Sequence, residues 1–123
     1  MKKVLLIEDD KFLSDMYVTK FSKLGYRIET AYDGEEGIRK IKKIKPNIIL
    51  LDIRLPLKDG FEVLREAKKD QKTKDIPVIL LTNLGQKEDI EEGLKLGAID
   101  YLIKAQFTPQ EVVDKVKKII FND

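Results

Sequence analysis

Three short, continuously apolar blocks constrain the fold of this 123-residue chain more than any other feature. They are Val4–Ile7, Ile48–Leu51 and Val78–Leu81, and each is bounded by polar or turn-forming residues. An apolar run of this length without alternation predicts a strand buried on both faces, which is typical of a parallel sheet covered by helices. Two weaker segments, the alternating Tyr26–Ala31 and the short Asp100–Ile103, predict edge strands.

Apolar residues with helical spacing lie between these five segments. The stripes are Phe12, Leu13, Met16, Tyr17, Phe21 and Leu24; Ile38, Ile41 and Ile44; Phe61, Leu64 and Ala67; Ile90, Leu94 and Ala98; and Val112, Val113, Val116, Ile119 and Ile120. Capping residues support three of these helices, because a glutamate lies three residues after each of Asp33, Asp59 and Thr108. Alternating strands and helices predict an α/β fold, a doubly wound, flavodoxin-like (βα)5 parallel sheet in the order 2-1-3-4-5. We expect one domain over residues 1–123, with no output domain in this chain.

The amino-acid composition of the chain excludes several kinds of functional chemistry. The chain has no cysteine and no histidine, which excludes disulfides, thiolate nucleophiles, imidazole ligands and a phosphohistidine on the chain itself. Its apolar runs are too short for a membrane span or a signal peptide, so we expect a cytoplasmic protein. The 24 Lys and Arg residues are balanced by 22 Asp and Glu residues, which argues against direct nucleic-acid binding. We interpret the basic segment Arg39–Lys45 as the solvated face of a helix.

Polar side chains follow the predicted strands. They are Glu8, Asp9 and Asp10 after the first strand, Asp52 after the third, Thr82 after the fourth and Lys104 after the fifth. Because the carboxyl ends of parallel strands meet at one edge of a sheet, we expect these groups to converge. Clustered carboxylates without histidine or cysteine favour Mg²⁺, or Mn²⁺, as a counter-ion. A carboxylate can also be the nucleophile in phosphoryl transfer, with Lys104 neutralising phosphate charge.

Taken singly, each of these residues has a simpler interpretation. Asp10 has an equally good one as the cap of a helix that begins near Lys11. Asp52 alone would more often be a turn or cap residue, and Thr82 alone is uninformative. The functional interpretation therefore depends on the conjunction of all these groups at one edge of the sheet.

The ordered motifs resemble the receiver domain of two-component response regulators, in the single-domain form of chemotaxis regulators. The motifs are Val4–Asp10, Leu50–Pro56 with Asp59 and Gly60, Leu81 with Thr82, Gly97 with Ala98, and finally Tyr101 and Lys104. They cover essentially the whole chain and occur in the order of that family. The resemblance implies a signalling phosphoacceptor, which catalyses only its own phosphorylation and autodephosphorylation and is not otherwise an enzyme.

The resemblance also implies roles at the acidic edge. Asp52 would be the phosphoacceptor. Mg²⁺ would be held by the carboxylates of Asp9 and Asp52, by the backbone carbonyl of Arg54, and by Glu8 through water. The phosphoryl donor would be the phosphohistidine of a sensor histidine kinase or a phosphotransfer protein.

Further roles follow from the same resemblance. Thr82 and Lys104 would contact the phosphoryl group, and Tyr101 would rotate inward together with Thr82. The face of the fourth helix, fifth strand and fifth helix would then change its affinity for a downstream protein, with neither a nucleic acid nor a membrane as direct partner. One departure is Ala105, since the family usually has a proline after the lysine, joined by a cis bond.

Three other functions are compatible with parts of the pattern. A phosphohydrolase of the haloacid dehalogenase type needs a second acid two residues after its nucleophile, but that position is Arg54, and the chain has no cap domain. A receiver-shaped interaction module that never turns over phosphate is supported by Ala105 alone. A flavodoxin-like or nucleotide-binding protein is disfavoured because the glycine-rich phosphate motifs do not occur.

Overall fold

A five-stranded parallel sheet forms the centre of the computed structural model, which describes residues 2–83 and 85–121. The strands are β1 (Lys3–Ile7), β2 (Arg27–Ala31), β3 (Ile48–Asp52), β4 (Val78–Thr82) and β5 (Asp100–Ile103). The helices are α1 (Lys11–Lys23), α2 (Gly34–Ile44), α3 (Gly60–Lys69), α4 (Lys87–Lys95) and α5 (Pro109–Ile120). The strand order is β2-β1-β3-β4-β5, which confirms the predicted topology and puts the two mixed strands at the edges.

The side chains of the three central strands, β1, β3 and β4, alternate between two hydrophobic clusters, one on each face of the sheet. In β1, Leu5 and Ile7 belong to the cluster beneath α2 and α3, whereas Val4 and Leu6 belong to the cluster beneath α1 and α5. Every residue of β3 and β4 is buried. The continuous apolar runs therefore arise because the central strands are covered on both faces.

The register of the sheet brings the carboxyl ends of four strands together. Ile7 of β1 lies opposite Leu51 of β3, and Asp52 lies opposite Leu81 of β4. Thr82 in turn lies opposite Ile103 of β5. Asp52 and Thr82 are the last residues of β3 and β4, rather than residues after them, while Glu8 and Lys104 follow β1 and β5. All four consequently lie at one edge of the sheet, as predicted.

In two helices the apolar stripe of the sequence does not coincide with the buried face. In α1 the buried side chains include Tyr17 and Phe21, while Phe12 is 78% exposed and Met16 is 40% exposed. Apolar residues cover more than one face of α1, so their spacing did not determine which face meets the sheet. In α4 the buried residue is Gly93, which lies so close to β4 that a Cβ there would overlap the side chain of Leu80. The helix consequently packs close to the sheet through its backbone.

Four of the five helices begin at a side-chain cap. Asp59 and Thr108 form complete capping boxes, as predicted, and Asp33 accepts a hydrogen bond from the third residue of α2. Asp10 caps α1, which confirms its structural interpretation. At the start of α4, Gln86 makes no side-chain cap hydrogen bond. Within the described ranges, no helix is both long enough and apolar enough to span a bilayer.

Candidate functional site

Three carboxylates meet where β1 and β3 end. Glu8 is 1% exposed, Asp52 is 3% exposed, and Asp9 is exposed. One carboxylate oxygen from each of the three lies within 4.8 Å of the others. The sheet thus gathers negative charge at this edge, with two of the three groups withdrawn from water.

Lys104 provides the counter-charge for the two buried carboxylates. Its side chain extends from a short 3-10 turn, Lys104–Gln106, and is 9% exposed. The Nζ atom lies 2.5 Å from Glu8 Oε1 and 3.0 Å from Asp52 Oδ2. One ammonium group faces two carboxylates, and the exposed Asp9 adds a third, so negative charge remains in excess.

The ionisation of Glu8 and Lys104 reflects this imbalance. Burial raises the pKa of Glu8 to about 7, because the desolvation cost and the repulsion from Asp52 exceed the effect of the hydrogen bond from Lys104. Burial alone would lower the pKa of Lys104, but its hydrogen bond to Glu8 and the charge of Asp52 raise the pKa above its ordinary value. The site therefore favours a further positive charge.

The donor set fits a hard divalent cation. All the candidate ligand atoms are carboxylate oxygens, and among the described residues the buried Glu8 Oε1 has no polar partner other than the ammonium group of Lys104. Mg²⁺ prefers oxygen ligands of this kind and retains several waters when one or two carboxylates bind it. The residues at this edge therefore fit the predicted Mg²⁺.

Backbone groups fix the orientation of the two buried carboxylates. Asp52 Oδ1 accepts a hydrogen bond from the amide of Arg54 at 3.1 Å, and Glu8 Oε2 accepts one from the amide of Asp10 at 3.1 Å. Gly60 begins α3 against the backbone of Asp52, where a Cβ would overlap the Asp52 carbonyl oxygen. Only glycine allows this close approach, which sets the position of the loop after β3.

Thr82 and Tyr101 lie on the adjacent strands. Thr82 is 7% exposed at the end of β4, and its Oγ1 accepts a hydrogen bond from the amide of Gly85 at 3.3 Å. Tyr101 lies on the edge strand β5 and is 36% exposed. The described residues contain no cis peptide bond, so the bond between Lys104 and Ala105 is trans.

An ion pair that the sequence did not predict crosses this edge of the sheet. The guanidinium of Arg54 lies 3.5 Å from Asp89 Oδ2, in the first turn of α4. The two residues are 35 positions apart, and no local spacing rule connects them.

Comparisons with known proteins agree with this geometry. The family model described as "Response regulator receiver domain" matches residues 4–117. The chain is 38% identical over 120 residues to the "DNA-binding dual master transcriptional regulator RpaA" of Synechocystis sp., covering 98% of this chain and 49% of that protein. It is 37% identical over 119 residues to the "Probable transcriptional regulator ycf27" of Guillardia theta, covering 97% and 45%. The chain thus spans about half the length of these relatives.

Solved structures share the whole fold. A Francisella response regulator receiver domain is 33% identical with a TM-score of 0.88, covering 98% of this chain and 97% of that chain. The receiver domain of the sensor histidine kinase PA1611 from Pseudomonas aeruginosa, described with a magnesium ion in its active site cleft, is 30% identical with a TM-score of 0.89, covering 98% of both chains. With a family model that covers residues 4–117, the chain belongs to the response regulator receiver domains of two-component systems.

Proposed function

We propose that Asp52 accepts a phosphoryl group from a phosphohistidine of a partner protein, in a reaction that depends on Mg²⁺. The observation that carries this proposal is the environment of Asp52. Its carboxylate is buried at the end of a central strand, is oriented by the amide of Arg54, and is paired with Lys104. Glu8 and Asp9 bring two further carboxylates within 4.8 Å. This arrangement combines a fixed nucleophile with a cation and a surplus of negative charge.

The proposed reaction is a direct displacement at phosphorus. An oxygen of the Asp52 carboxylate forms a bond to phosphorus while the phosphorus–nitrogen bond of the donor breaks, and the imidazole leaves with that electron pair. Lys104 faces the acceptor carboxylate and would neutralise charge on the phosphoryl oxygens, while Thr82 would donate a hydrogen bond to them. Water attack on the aspartyl phosphate would later release inorganic phosphate and restore Asp52.

The residues that would hold the metal are the carboxylates of Asp9 and Asp52, the backbone carbonyl of Arg54, and Glu8 through water. When bound, Mg²⁺ would supply positive charge to the phosphoryl oxygens. The excess negative charge and the raised pKa of Glu8 both support a cation at this position.

The proposed partners follow from this chemistry. Since this chain has no histidine, we propose that a sensor histidine kinase or a phosphotransfer protein supplies the phosphohistidine. We propose a cytoplasmic location and a downstream protein that binds the face of α4, β5 and α5. That face exposes Leu94, Ile99 and Tyr101, which is consistent with a protein partner. The near-equal numbers of acidic and basic residues argue against direct contact with a nucleic acid.

Labelling with a small phosphoryl donor tests the proposed function. We expect acetyl phosphate with Mg²⁺ to add one phosphoryl group to the intact protein, as measured by mass spectrometry, and we expect no labelling in EDTA. The same experiment addresses the competing interpretation, a receiver-shaped interaction module, which would stay unlabelled in both conditions.

We predict that a phosphoryl mimic changes the environment of Tyr101 as well as that of Asp52. Binding of beryllofluoride with Mg²⁺ should draw the Thr82 hydroxyl toward Asp52, and Tyr101 should move into the space that this shift opens. The measurement is the change in amide chemical shifts with and without the mimic. Changes confined to the loops around Asp52, with Tyr101 and α4 unaffected, would contradict the proposed switch.

We predict that Asp9→Asn removes most of the stabilisation by Mg²⁺ without destabilising the metal-free protein. Asp9 is exposed, so its neutralisation leaves the buried contacts of Lys104 intact. Wild type should gain ~1.4 kcal/mol at a tenfold excess of Mg²⁺ over its Kd, and the variant should gain much less. Denaturant unfolding in EDTA and in millimolar Mg²⁺ measures both quantities. Asp10→Asn is the control, since asparagine can still cap α1. An equal response to Mg²⁺ in wild type and Asp9→Asn would place the metal elsewhere.

A further inference from the structure

The start of α4 is attached to the edge of the sheet differently from the other helices. Gln86, at the start of α4, makes no side-chain cap hydrogen bond. The other four helices are capped by the side chains of Asp10, Asp33, Asp59 and Thr108. Among the described residues, two polar links connect this end of α4 to the residues around the site. One is the hydrogen bond from the amide of Gly85 to Thr82 Oγ1, and the other is the ion pair of Asp89 with Arg54.

The backbone of Arg54 lies beside a second acidic group, the carboxylate of Asp52. The amide of the same residue donates to Asp52 Oδ1 at 3.1 Å, so the side chain begins beside the acceptor carboxylate. Its side chain is 77% exposed, which leaves it free to turn. A guanidinium binds phosphoryl oxygens through paired, charge-assisted hydrogen bonds, and a phosphoryl group carries more negative charge than one carboxylate. A phosphoryl group on Asp52 would therefore compete with Asp89 for Arg54.

We propose that Arg54 binds the phosphoryl group on Asp52 through its guanidinium, and that Asp89 is the positioning residue that holds this guanidinium at the start of α4 beforehand. Phosphorylation then transfers Arg54 from Asp89 to the phosphoryl oxygens and removes one of the two links at the start of α4. The inference rests on the proposed function, since it requires a phosphoryl group on Asp52. Through the side chains of Arg54 and Asp89, phosphorylation of Asp52 would be coupled to the position of α4.

Binding of beryllofluoride in Mg²⁺, followed by ¹⁹F NMR titration, tests the exchange of partners. Arg54→Gln should weaken binding about tenfold, the loss expected for a hydrogen bond to a charged group. Asp89→Asn should tighten binding about two- to fivefold, because it removes an exposed ion pair that competes for the same guanidinium. In the Arg54→Gln background, Asp89→Asn should have no effect, and Arg54→Lys should recover part of the affinity.

Two control variants separate this exchange from general effects on α4. Glu92→Gln breaks a different ion pair between α4 and its surroundings, with Arg65 at 3.8 Å, and should leave beryllofluoride affinity unchanged. Glu88→Gln removes a negative charge from the same first turn as Asp89, so it reproduces any loss of favourable charge at the helix N-terminus. We expect Asp89→Asn, but not Glu88→Gln, to raise hydrogen exchange over residues 87–90 in the absence of beryllofluoride.

The outcomes distinguish this inference from the proposed function. If wild type binds no beryllofluoride and is not labelled by acetyl phosphate, the proposed function is wrong. If wild type binds beryllofluoride but Asp89→Asn leaves the affinity unchanged, Asp89 does not hold Arg54 in reserve. If Asp89→Asn has the same effect with and without Arg54, the effect belongs to α4 itself and the inference is overturned.

Discussion

Replacement of Asp52 with asparagine is expected to abolish labelling by acetyl phosphate in Mg²⁺. Asparagine keeps the shape of the side chain and one oxygen that can accept from the Arg54 amide. It has no carboxylate oxygen to attack phosphorus, and it removes one ligand from the proposed metal site. The measurement is the phosphorylated fraction of intact protein over time, and we expect a loss of at least a hundredfold in rate.

The control is Asp59→Asn. Asp59 lies in the same loop region but caps α3, and asparagine caps nearly as well as aspartate. This variant should be labelled at the wild-type rate. Labelling of Asp52→Asn at the wild-type rate on the same peptide would show that another residue is the acceptor.

Replacement of Lys104 with methionine should cause the largest loss of stability among the site variants. The change leaves Glu8 and Asp52, which are 1% and 3% exposed, without their common counter-charge. Removing one partner of a buried ion pair costs about 3–5 kcal/mol, and we expect about 3 because the site lies at the edge of the sheet. Denaturant unfolding in EDTA measures this loss, and millimolar Mg²⁺ should recover part of it.

Two variants make the electrostatic explanation testable. Lys115→Met removes a lysine that pairs with Asp100 at 2.8 Å, but both side chains are about one-third exposed, so this loss should stay below about 1 kcal/mol. Adding Asp52→Asn to Lys104→Met should restore stability, since only one buried carboxylate then remains. If the double variant is no more stable than Lys104→Met, the lysine acts through packing of its hydrocarbon chain instead.

Local rules were sufficient to predict the strands, their order and most helix starts. The apolar runs of β3 and β4 indicated burial on both faces, and the mixed composition of Arg27–Ala31 and Asp100–Ile103 indicated edge positions. The gathering of Glu8, Asp9, Asp52 and Lys104 followed from topology, because parallel strands end at a common edge. These features depend on spacing along the chain, which a single sequence displays directly.

Features that depend on three-dimensional packing were not predictable in this way. Phe12 and Met16 fit the helical spacing of α1 but lie on its outer side, because the sheet meets the face with Tyr17. The ion pair of Arg54 with Asp89 depends on the placement of α4 over β4, where Gly93 leaves room for the side chain of Leu80. Such contacts join residues from different elements, and no spacing rule relates them.

The location of Lys104 just beyond β5 has a consequence for how the chain folds and opens. Edge strands have one unpaired side, and terminal elements of a sheet open at lower free energy than its centre. Here, however, separation of β5 would also withdraw the ammonium group from Glu8 and Asp52. The free energy of opening β5 therefore includes the cost of leaving two buried carboxylates without a counter-charge. The last strand of the sheet should consequently unfold together with the central strands. In the absence of Mg²⁺, the carboxylates of Glu8 and Asp52 lack their ammonium partner until the fifth β–α unit has docked.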